Sequence, residues 1–391
     1  MEDKSVAIIL YANVDHYPST IDAIRLLENE YKIIVFSRNT DGQFESFGKN
    51  TILYKFGRYA SIKKSEKKSG LSKLCEYIIF TLKTAYCSGK HKCRSIIAYD
   101  SYSLTTAIIL RLFNPQIKVF HHAHEIIEPG ISKWYHLRYW TEKVTLRCAK
   151  DCLWVSQPDI KRAQFFEKMT GIKNVKVMKN FALYDFKYPG EKLVLCEKLK
   201  KDGYTVCAFT GTISKKSYIK YLLDFVKTSE IKIAIIISGD VRDEATEYIL
   251  KHYKKDYNDD RHLSKLIYLG FLLKEKMYAL LNSADFALVL YTPSFMAEMN
   301  AGSSAKIGTY LIFGLPVIYP SFWDYEPHYK KIGLNYRDGE ELKERITQMA
   351  KDRDLRRKLS ENAKELFRES INFESEFRGL KKTIDHYMRM G

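Results

Sequence analysis

The stretch Asn300-Ala-Gly-Ser-Ser-Ala-Lys-Ile-Gly-Thr-Tyr-Leu-Ile-Phe-Gly-Leu-Pro-Val-Ile318 collects the residue types that hold a diphosphate. A small-residue loop runs into a short helix carrying Ser303, Ser304 and Lys306. Gly314 is suited to end that helix, and residues 315–319 read as a buried strand. The first amides of a helix lack intrahelical acceptors, and the dipole there is positive. With a lysine one turn in, this is an anion site. Gly302 and Gly308 remove side chains where a ligand would approach the backbone. The nucleotide part of a substrate is expected here.

A second cluster is His121-His-Ala-His-Glu125 at the end of an apolar strand. A histidine there can bond a hydroxyl or move a proton. Strand alternation sends His121 and His122 to opposite faces, so both read as scaffold. No His-Glu-x-x-His pattern follows, and no metal is expected. Asp352-Arg-Asp354 spells a metal-type pair but lies in a charged run, and reads as a solvated connection. Cys148 and Cys152, the closest of seven cysteines, lack metal-site partners and read as packing residues. An odd, scattered set of cysteines suits a reducing cytoplasm.

The elements that position these residues alternate. Strands are expected over 6–12, 32–37, 51–56, 95–99, 118–122, 152–155 and 175–178. Helices are expected over 19–30, 71–86, 103–113, 133–149 and 157–169. This indicates a parallel sheet covered on both faces. The alternation restarts with strands at 206–210, 232–238, 266–269, 286–291 and 315–319. Helices fall at 218–228, 244–253, 274–283 and 303–313, then at 340–351, 354–367 and 373–389. Asp338 is the expected N-cap of the first helix in the tail. The domains expected are 1–182, a linker 183–204, 205–371, and a final helix 372–391. Two doubly wound domains are therefore expected in 391 residues. Ligands in such sheets lie at the carboxyl ends of strands, and the cleft between two domains is the expected site. Asn13, Tyr17 and Ser19, after the first strand, fall at its edge.

Net charge is +17. Between Lys55 and Arg94 there are 11 Lys or Arg against two Glu, interleaved with Leu71, Leu74, Ile78 and Leu82. Basic residues beside an apolar helical stripe suit an anionic membrane surface. No nucleic-acid-binding motif accompanies the charge. No run of 18 apolar residues appears, and the N-terminus does not read as a secretory signal. The expected location is the cytoplasm, peripheral on the membrane face.

In their order and spacing, several pieces resemble the GT-B-fold glycosyltransferases, most closely glycosyltransferase family 4 and its relatives. They are His121 to Glu125, Trp140 to Lys150, Leu153 to Gln157, Val175 to Phe181, Phe209-Thr-Gly-Thr212, Ile237-Ser-Gly239, Tyr268-Leu-Gly-Phe271, Asn282-Ser-Ala-Asp285, Lys306 to Ile318 and Phe373-Glu-Ser-Glu. The resemblance covers nearly the whole chain. It implies two Rossmann-like domains facing across a cleft, with the final helix crossing back to the first. It implies a nucleoside-diphosphate-sugar donor on the second domain and a glycan or lipid-linked acceptor on the first. Transfer would proceed with retention and without metal or cofactor.

By the same resemblance, His124 and Glu125 would meet the donor sugar as the catalytic pair. Thr212, Lys215 and Lys216 would join Lys306, Ser303, Ser304 and Gly302 at the diphosphate. Phe271 and Leu272 would meet the nucleobase. Two glutamates of the family fall on Ala301 and Thr309, where this chain departs from the pattern. Thr309, Glu298 and Asn300 are the groups left to contact ribose or sugar. That departure keeps two other readings open: a non-catalytic nucleotide-sugar-binding or partner subunit of the same fold, and a nucleotide-sugar epimerase.

Overall fold

The computed structural model of the chain describes residues 5–40, 46–60, 68–128, 130, 132–184, 188, 190–244, 246–247 and 263–390. Residues 245 and 248–253 of one expected helix lie outside the described residues. So do 61–67 of the basic window and 185–187 and 189 of the expected linker. The chain divides into two compact units, residues 1–180 with 373–391 and residues 181–372.

The first unit is built on seven parallel strands in the order β3-β2-β1-β4-β5-β6-β7. These are β1 (Ser5–Leu10), β2 (Lys32–Thr40), β3 (Thr51–Ala60), β4 (Ser95–Tyr99), β5 (Lys118–His122), β6 (Trp154–Gln157) and β7 (Lys176–Val177). Every residue of β1 is buried, as a central parallel strand covered on both faces requires. The helices are α1 (Pro18–Leu27), α2 (Gly70–Lys90), α3 (Asp100–Phe113), α4 (Leu137–Cys148) and α5 (Ile160–Thr170). Local chemistry sets several of their ends. Pro18 opens α1, Ser69 and Asp159 cap α2 and α5, and Gly171 ends α5 at φ +73°.

The second unit has six parallel strands in the order β10-β9-β8-β11-β12-β13. The stretch 183–204 contains α6 (Val194–Lys201), which buries Cys196 and Leu199 in this unit's core. Then come β8 (Thr205–Thr210), α7 (Ile219–Thr228), β9 (Ile233–Ser238), β10 (Lys265–Tyr268), α8 (Lys274–Ser283) and β11 (Phe286–Leu288). They are followed by α9 (Phe295–Glu298), α10 (Ala305–Ile312), β12 (Val317–Pro320), α11 (Tyr329–Ile332), β13 (Gly333–Tyr336), α12 (Gly339–Lys351) and α13 (Arg353–Glu369). Alternate residues of each strand feed opposite cores. Val206, Ala208 and Ile236 go to one, and Cys207, Phe209, Ile235 and Ile237 to the other. Asp338 caps α12 by accepting from the amides of Glu340 and Glu341. Among the described residues no helix is long and apolar enough to cross a membrane.

The last helix, α14 (Phe373–Met390), belongs to the first unit. It buries Phe377, Leu380 and Ile384. Tyr31 donates to Asp385 at 2.6 Å, and Glu376 accepts the Lys179 amide at 3.0 Å. Gly379 lets the helix lie against Trp154, since a Cβ there would stand 2.9 Å from the indole. Phe377→Ala is expected to lower first-unit stability by ~3–5 kcal/mol. Lys382→Ala, on the exposed side of the same helix, should change it by no more than ~0.5 kcal/mol. Hydrogen exchange of the β1 and β4 amides reads the difference, and equal effects would detach α14 from that unit.

Candidate functional site

The second unit's sheet reverses its strand order between β8 and β11, and the carboxyl ends flanking that point are where such sheets bind ligands. Three glycines follow three neighbouring strands there with positive φ: Gly211 at +120°, Gly239 at +150° and Gly270 at +71°. Gly211 N–H donates to Ser238 O and Gly239 N–H to Gly270 O, each at 2.9 Å. A Cβ on Gly239 would lie 1.7 Å from Gly211 O, and one on Gly211 would lie 2.7 Å from Lys306 Cε. The result is a bare backbone shelf that the lysine lies against.

Lys306 stands in the first turn of α10. Its Nζ donates to Tyr291 Oη at 2.9 Å and sits 4.8 Å from the Tyr291 ring centre. Phe209 presents a second ring at 6.0 Å. Burial opposes the ammonium, but the Tyr291 phenol outweighs it and the Lys306 pKa ends above its ordinary value. The side chain is a cation at neutral pH. Ser304 precedes the helix and makes no side-chain cap. It is only 6% exposed, and its buried hydroxyl has no partner among the described residues. Such a hydroxyl beside uncapped amides and a lysine forms a cradle with the chemistry to accept phosphate oxygens.

The other expected residues of this unit are distributed around that cradle. Ser303 Oγ donates to Asn300 Oδ1 at 3.1 Å, and Gly302 is buried. Thr309 spends its hydroxyl on Ala305 O at 2.8 Å. Ala301 is buried, and its carbonyl accepts from the Tyr329 hydroxyl at 2.6 Å. Glu298 is exposed at the end of α9. Lys215 and Lys216 are exposed in a 3-10 turn that Ser214 and Ser217 cap reciprocally. Thr292 N–H donates to Lys216 O at 3.0 Å, which ties the loops after β8 and β11 together. Thr212 is exposed on the first of these loops. After Gly270, Phe271 is exposed while Leu272 packs on the core. Sequence reasoning missed Tyr291, Trp323 and Tyr329. Trp323 Nε1 donates to Ala297 O at 2.7 Å, so Trp323 and Tyr329 pin the loop that leads into α10. Buried aromatics with polar tips were the available signal.

In the first unit the corresponding edge is built around His124. Its ring stacks on Tyr99 at 4.8 Å and tilts against Tyr17 at 5.0 Å. Nε2 meets the Thr20 hydroxyl at 2.9 Å, and the His124 carbonyl accepts from Arg162 at 2.8 Å. Burial, then Arg162 and His121, push its pKa down to about 3. The imidazole is therefore neutral, and suited to hydrogen bonding rather than to proton transfer. Burial likewise lowers His121, to about 4, and His122. Their Nδ1 atoms meet Ala98 O and Ser156 Oγ, which makes both scaffold.

Glu125 is exposed and lines a cavity of about 240 Å³ with Tyr11, Tyr17, Asp100, Arg138 and Glu142. Ser19 is buried in α1. Asn13 is buried too, and its amide donates to Thr40 O at 2.9 Å while its oxygen accepts from the Asp15 amide. It holds its loop. Asp100 was not anticipated, although it directly follows a strand. It sits at φ +63°, and its Oδ1 accepts the amides of His124 and Glu125 at 2.7 and 2.9 Å. Burial raises its pKa to about 7 against those two bonds.

Residues 217–380 match the family described as glycosyl transferase-like. No curated protein matches the chain. Among solved structures, sucrose-phosphate synthase from Thermosynechococcus elongatus superposes with a TM-score of 0.72 at 13% identity, over 99% of this chain and 100% of that one. Anabaena Alr3699/HepE in complex with UDP and glucose gives 0.69 at 14% identity, over 98% and 100%. The E. coli trehalose-6-phosphate structure bound with UDP-2-fluoro glucose gives 0.66 at 11% identity, over 99% and 98%. The fold is that of the GT-B proteins, and the glycosyl transferase-like region covers most of the second unit and the start of α14.

The Asp100 shift makes a pH-dependent claim. A raised carboxyl pKa favours the folded state below the unfolded value, and that contribution is lost as pH rises through about 7. Asp100→Asn keeps an acceptor for the two amides and removes the charge. The variant is expected to gain ~1–3 kcal/mol on the native chain between about pH 5 and about pH 8, measured by urea titration. Parallel pH profiles would show that Asp100 does not titrate in this range.

Proposed function

We propose that this GT-B chain is a glycosyltransferase. It moves a sugar from a nucleoside-diphosphate sugar to a glycan or lipid-linked saccharide, in polysaccharide biosynthesis, as a peripheral protein on the cytoplasmic membrane face. The observation that carries the reading is the cradle at the start of α10. Lys306 lies there against Gly211, beside the unpartnered Ser304 hydroxyl. The Anabaena protein is in complex with UDP and glucose and the E. coli protein is bound with UDP-2-fluoro glucose, which makes a uridine diphosphate sugar the donor class to test first.

The chemistry follows from charge. The bond from the sugar's anomeric carbon to the diphosphate oxygen breaks, and its electron pair leaves on the phosphate. The acceptor hydroxyl forms the new bond from the face the leaving group vacates, and its proton passes to the departing phosphate oxygen. Configuration is then retained. A preorganised cation and helix amides stabilise the leaving charge without a metal. Lys215 and Lys216 extend over the same anion, Thr212, Ser303 and Gly302 border it, and Phe271 and Leu272 receive the base. Thr309, Glu298 and Asn300 contact ribose or sugar. His124, as a neutral hydrogen-bonding ring, and Glu125 face sugar hydroxyls beside Asn13, Tyr17 and Ser19.

One observation favours a second reading, a binding subunit without turnover. Ala301 supplies no side-chain oxygen, and Thr309 spends its hydroxyl inside α10. Calorimetry with UDP and UDP-glucose, followed by an assay of UDP release with lipid-linked acceptors, separates the two. Lys306→Ala is expected to weaken UDP binding by roughly tenfold or more, the loss of one charge-assisted phosphate bond. Unchanged affinity would remove Lys306 from the site. Failure of the native chain to bind any nucleotide would overturn both readings.

A further inference from the structure

The exposed side of α4, with the turn before it, carries aromatic rings that the first unit's core does not use. The chain has four tryptophans. Trp323 is fully buried, and Trp154 lies against Gly379. Trp134 and Trp140 are instead 71% and 56% exposed, with Tyr135 between them in the chain at 57%. A cluster of exposed rings marks a contact surface. Neither indole has a ring stacked parallel on it among the described residues. Trp134 meets Tyr135 at 5.9 Å and 84°, and Trp140 meets Tyr139 at 5.4 Å and 90°. The nearby ammonium groups lie over the tyrosines: Lys133 is 5.9 Å from the Tyr135 ring centre and Lys143 is 4.8 Å from that of Tyr139.

Charge accompanies the rings. From Lys133 to Lys150 five Lys or Arg stand against one acidic residue, Glu142, whose carboxylate accepts from Arg138 Nε at 2.6 Å. Lys143 and Arg147 are exposed, and their spacing from Trp140 puts all three on one face of the helix. No aliphatic side chain of α4 is exposed. The surface is therefore rings set among cations, without the continuous apolar stripe that a bilayer takes up. The same helix reaches the cavity at the carboxyl edge of the sheet. Arg138 and Glu142, one turn apart, line it with Glu125 and Tyr17. At about 240 Å³ that cavity is smaller than those that enclose a drug-sized ligand, so it takes one end of a longer molecule.

We infer that α4 is an extended subsite for an acidic glycan. The terminal sugar enters the cavity, the units behind it stack on Trp140, Tyr135 and Trp134, and their carboxylate or phosphate groups meet Lys143 and Arg147. The occupant follows from chemistry. A sugar ring presents a face of C–H groups that packs on an indole, and a rim of hydroxyls that takes hydrogen bonds from polar neighbours. Cations between the rings select an acidic chain over a neutral one. A second copy of this face would bring like charge to like. The inference deepens the glycan acceptor of the proposed function, and rests on that reading for the ligand's being a glycan.

The test follows acrylamide quenching of tryptophan fluorescence in the full chain, with hexagalacturonate, phosphorylated maltohexaose and maltohexaose as probes. An acidic hexamer is expected to shield the exposed indoles, and to bind roughly fivefold more tightly than maltohexaose at low salt. Which of the two acidic hexamers binds better identifies the anionic group. Trp134→Ala combined with Trp140→Ala should lower acidic-hexamer affinity by roughly tenfold or more, read by calorimetry. Lys143→Gln combined with Arg147→Gln should lower it by roughly fivefold and leave maltohexaose affinity unchanged. Circular dichroism checks that each variant is folded, and the charge variant carries the test if the tryptophan variant is not. No shielding by any probe, equal affinity for neutral and acidic hexamers, or unchanged affinity in both variants would overturn the inference. So would shielding by phosphatidic acid vesicles without shielding by any hexamer, or a dimer that Trp140→Ala splits. UDP calorimetry on the same preparation keeps the two ideas apart. UDP binding without hexamer binding sinks only this inference, and hexamer binding without UDP binding sinks only the donor reading.

Discussion

The second unit's site depends on a steric constraint: backbone and a lysine fill space that side chains would otherwise occupy. Gly239 lies so close to Gly211 O that a Cβ cannot fit, and a Cβ on Gly211 would stand 2.7 Å from Lys306 Cε. The ends of β8 and β9 are thereby fastened together, and α10 is brought down onto them. Tyr310, a buried residue of α10, completes the arrangement. Its hydroxyl accepts the Thr210 amide at 3.1 Å and donates to Leu288 O at 3.2 Å, which bridges β8 and β11 where the strand order turns. The position of the Lys306 cation is thus a consequence of packing, and Tyr291 sets its direction. Preorganisation of this kind requires no rearrangement when negative charge develops.

The carboxyl edge of the first unit differs in its electrostatics from that of the second. Burial moves two groups at the first unit's edge, His124 and Asp100, toward their neutral forms. It lowers the pKa of His124 and raises that of Asp100. Stacking on Tyr99 and the Thr20 contact fix the imidazole plane. A neutral, oriented imidazole suits uncharged hydroxyl groups, as a held cation suits a diphosphate.

Much of the architecture was legible because the signal is local. Continuous apolar runs such as Val6 to Leu10 and Ile233 to Ile237 can only be buried on both faces, and they alternate with helical spacing. The cap at Asp338 and the stop at Gly314, φ +61°, follow from side chain and backbone chemistry within a few residues. Boundaries were less legible. Residues 286–291 read as one strand, but pairing ends at Leu288 and the following residues form a loop. The charged stretch 183–204 read as a linker, yet two of its residues, Cys196 and Leu199, are enough to seat a helix in the core.

The candidate site divides along the same line. The order of residues from Asn300 to Ile318 was sufficient to read a small-residue turn entering a helix with a lysine in its first turn, because these signals act within one turn. The partners of that turn are distant in the chain. Tyr291, Gly211, Trp323 and Tyr329 reach it only through the parallel sheet and the loops at its carboxyl edge. Asp100 and His124 likewise meet because β4 and β5 pair in register. By itself the sequence determined which elements form and which faces they bury, since propensity, capping and periodicity are short-range. Tertiary structure alone decided which polar groups are buried without partners, which cations face one another and which imidazoles are neutral. Those properties depend on distance and solvent exclusion between segments that the chain order does not place together.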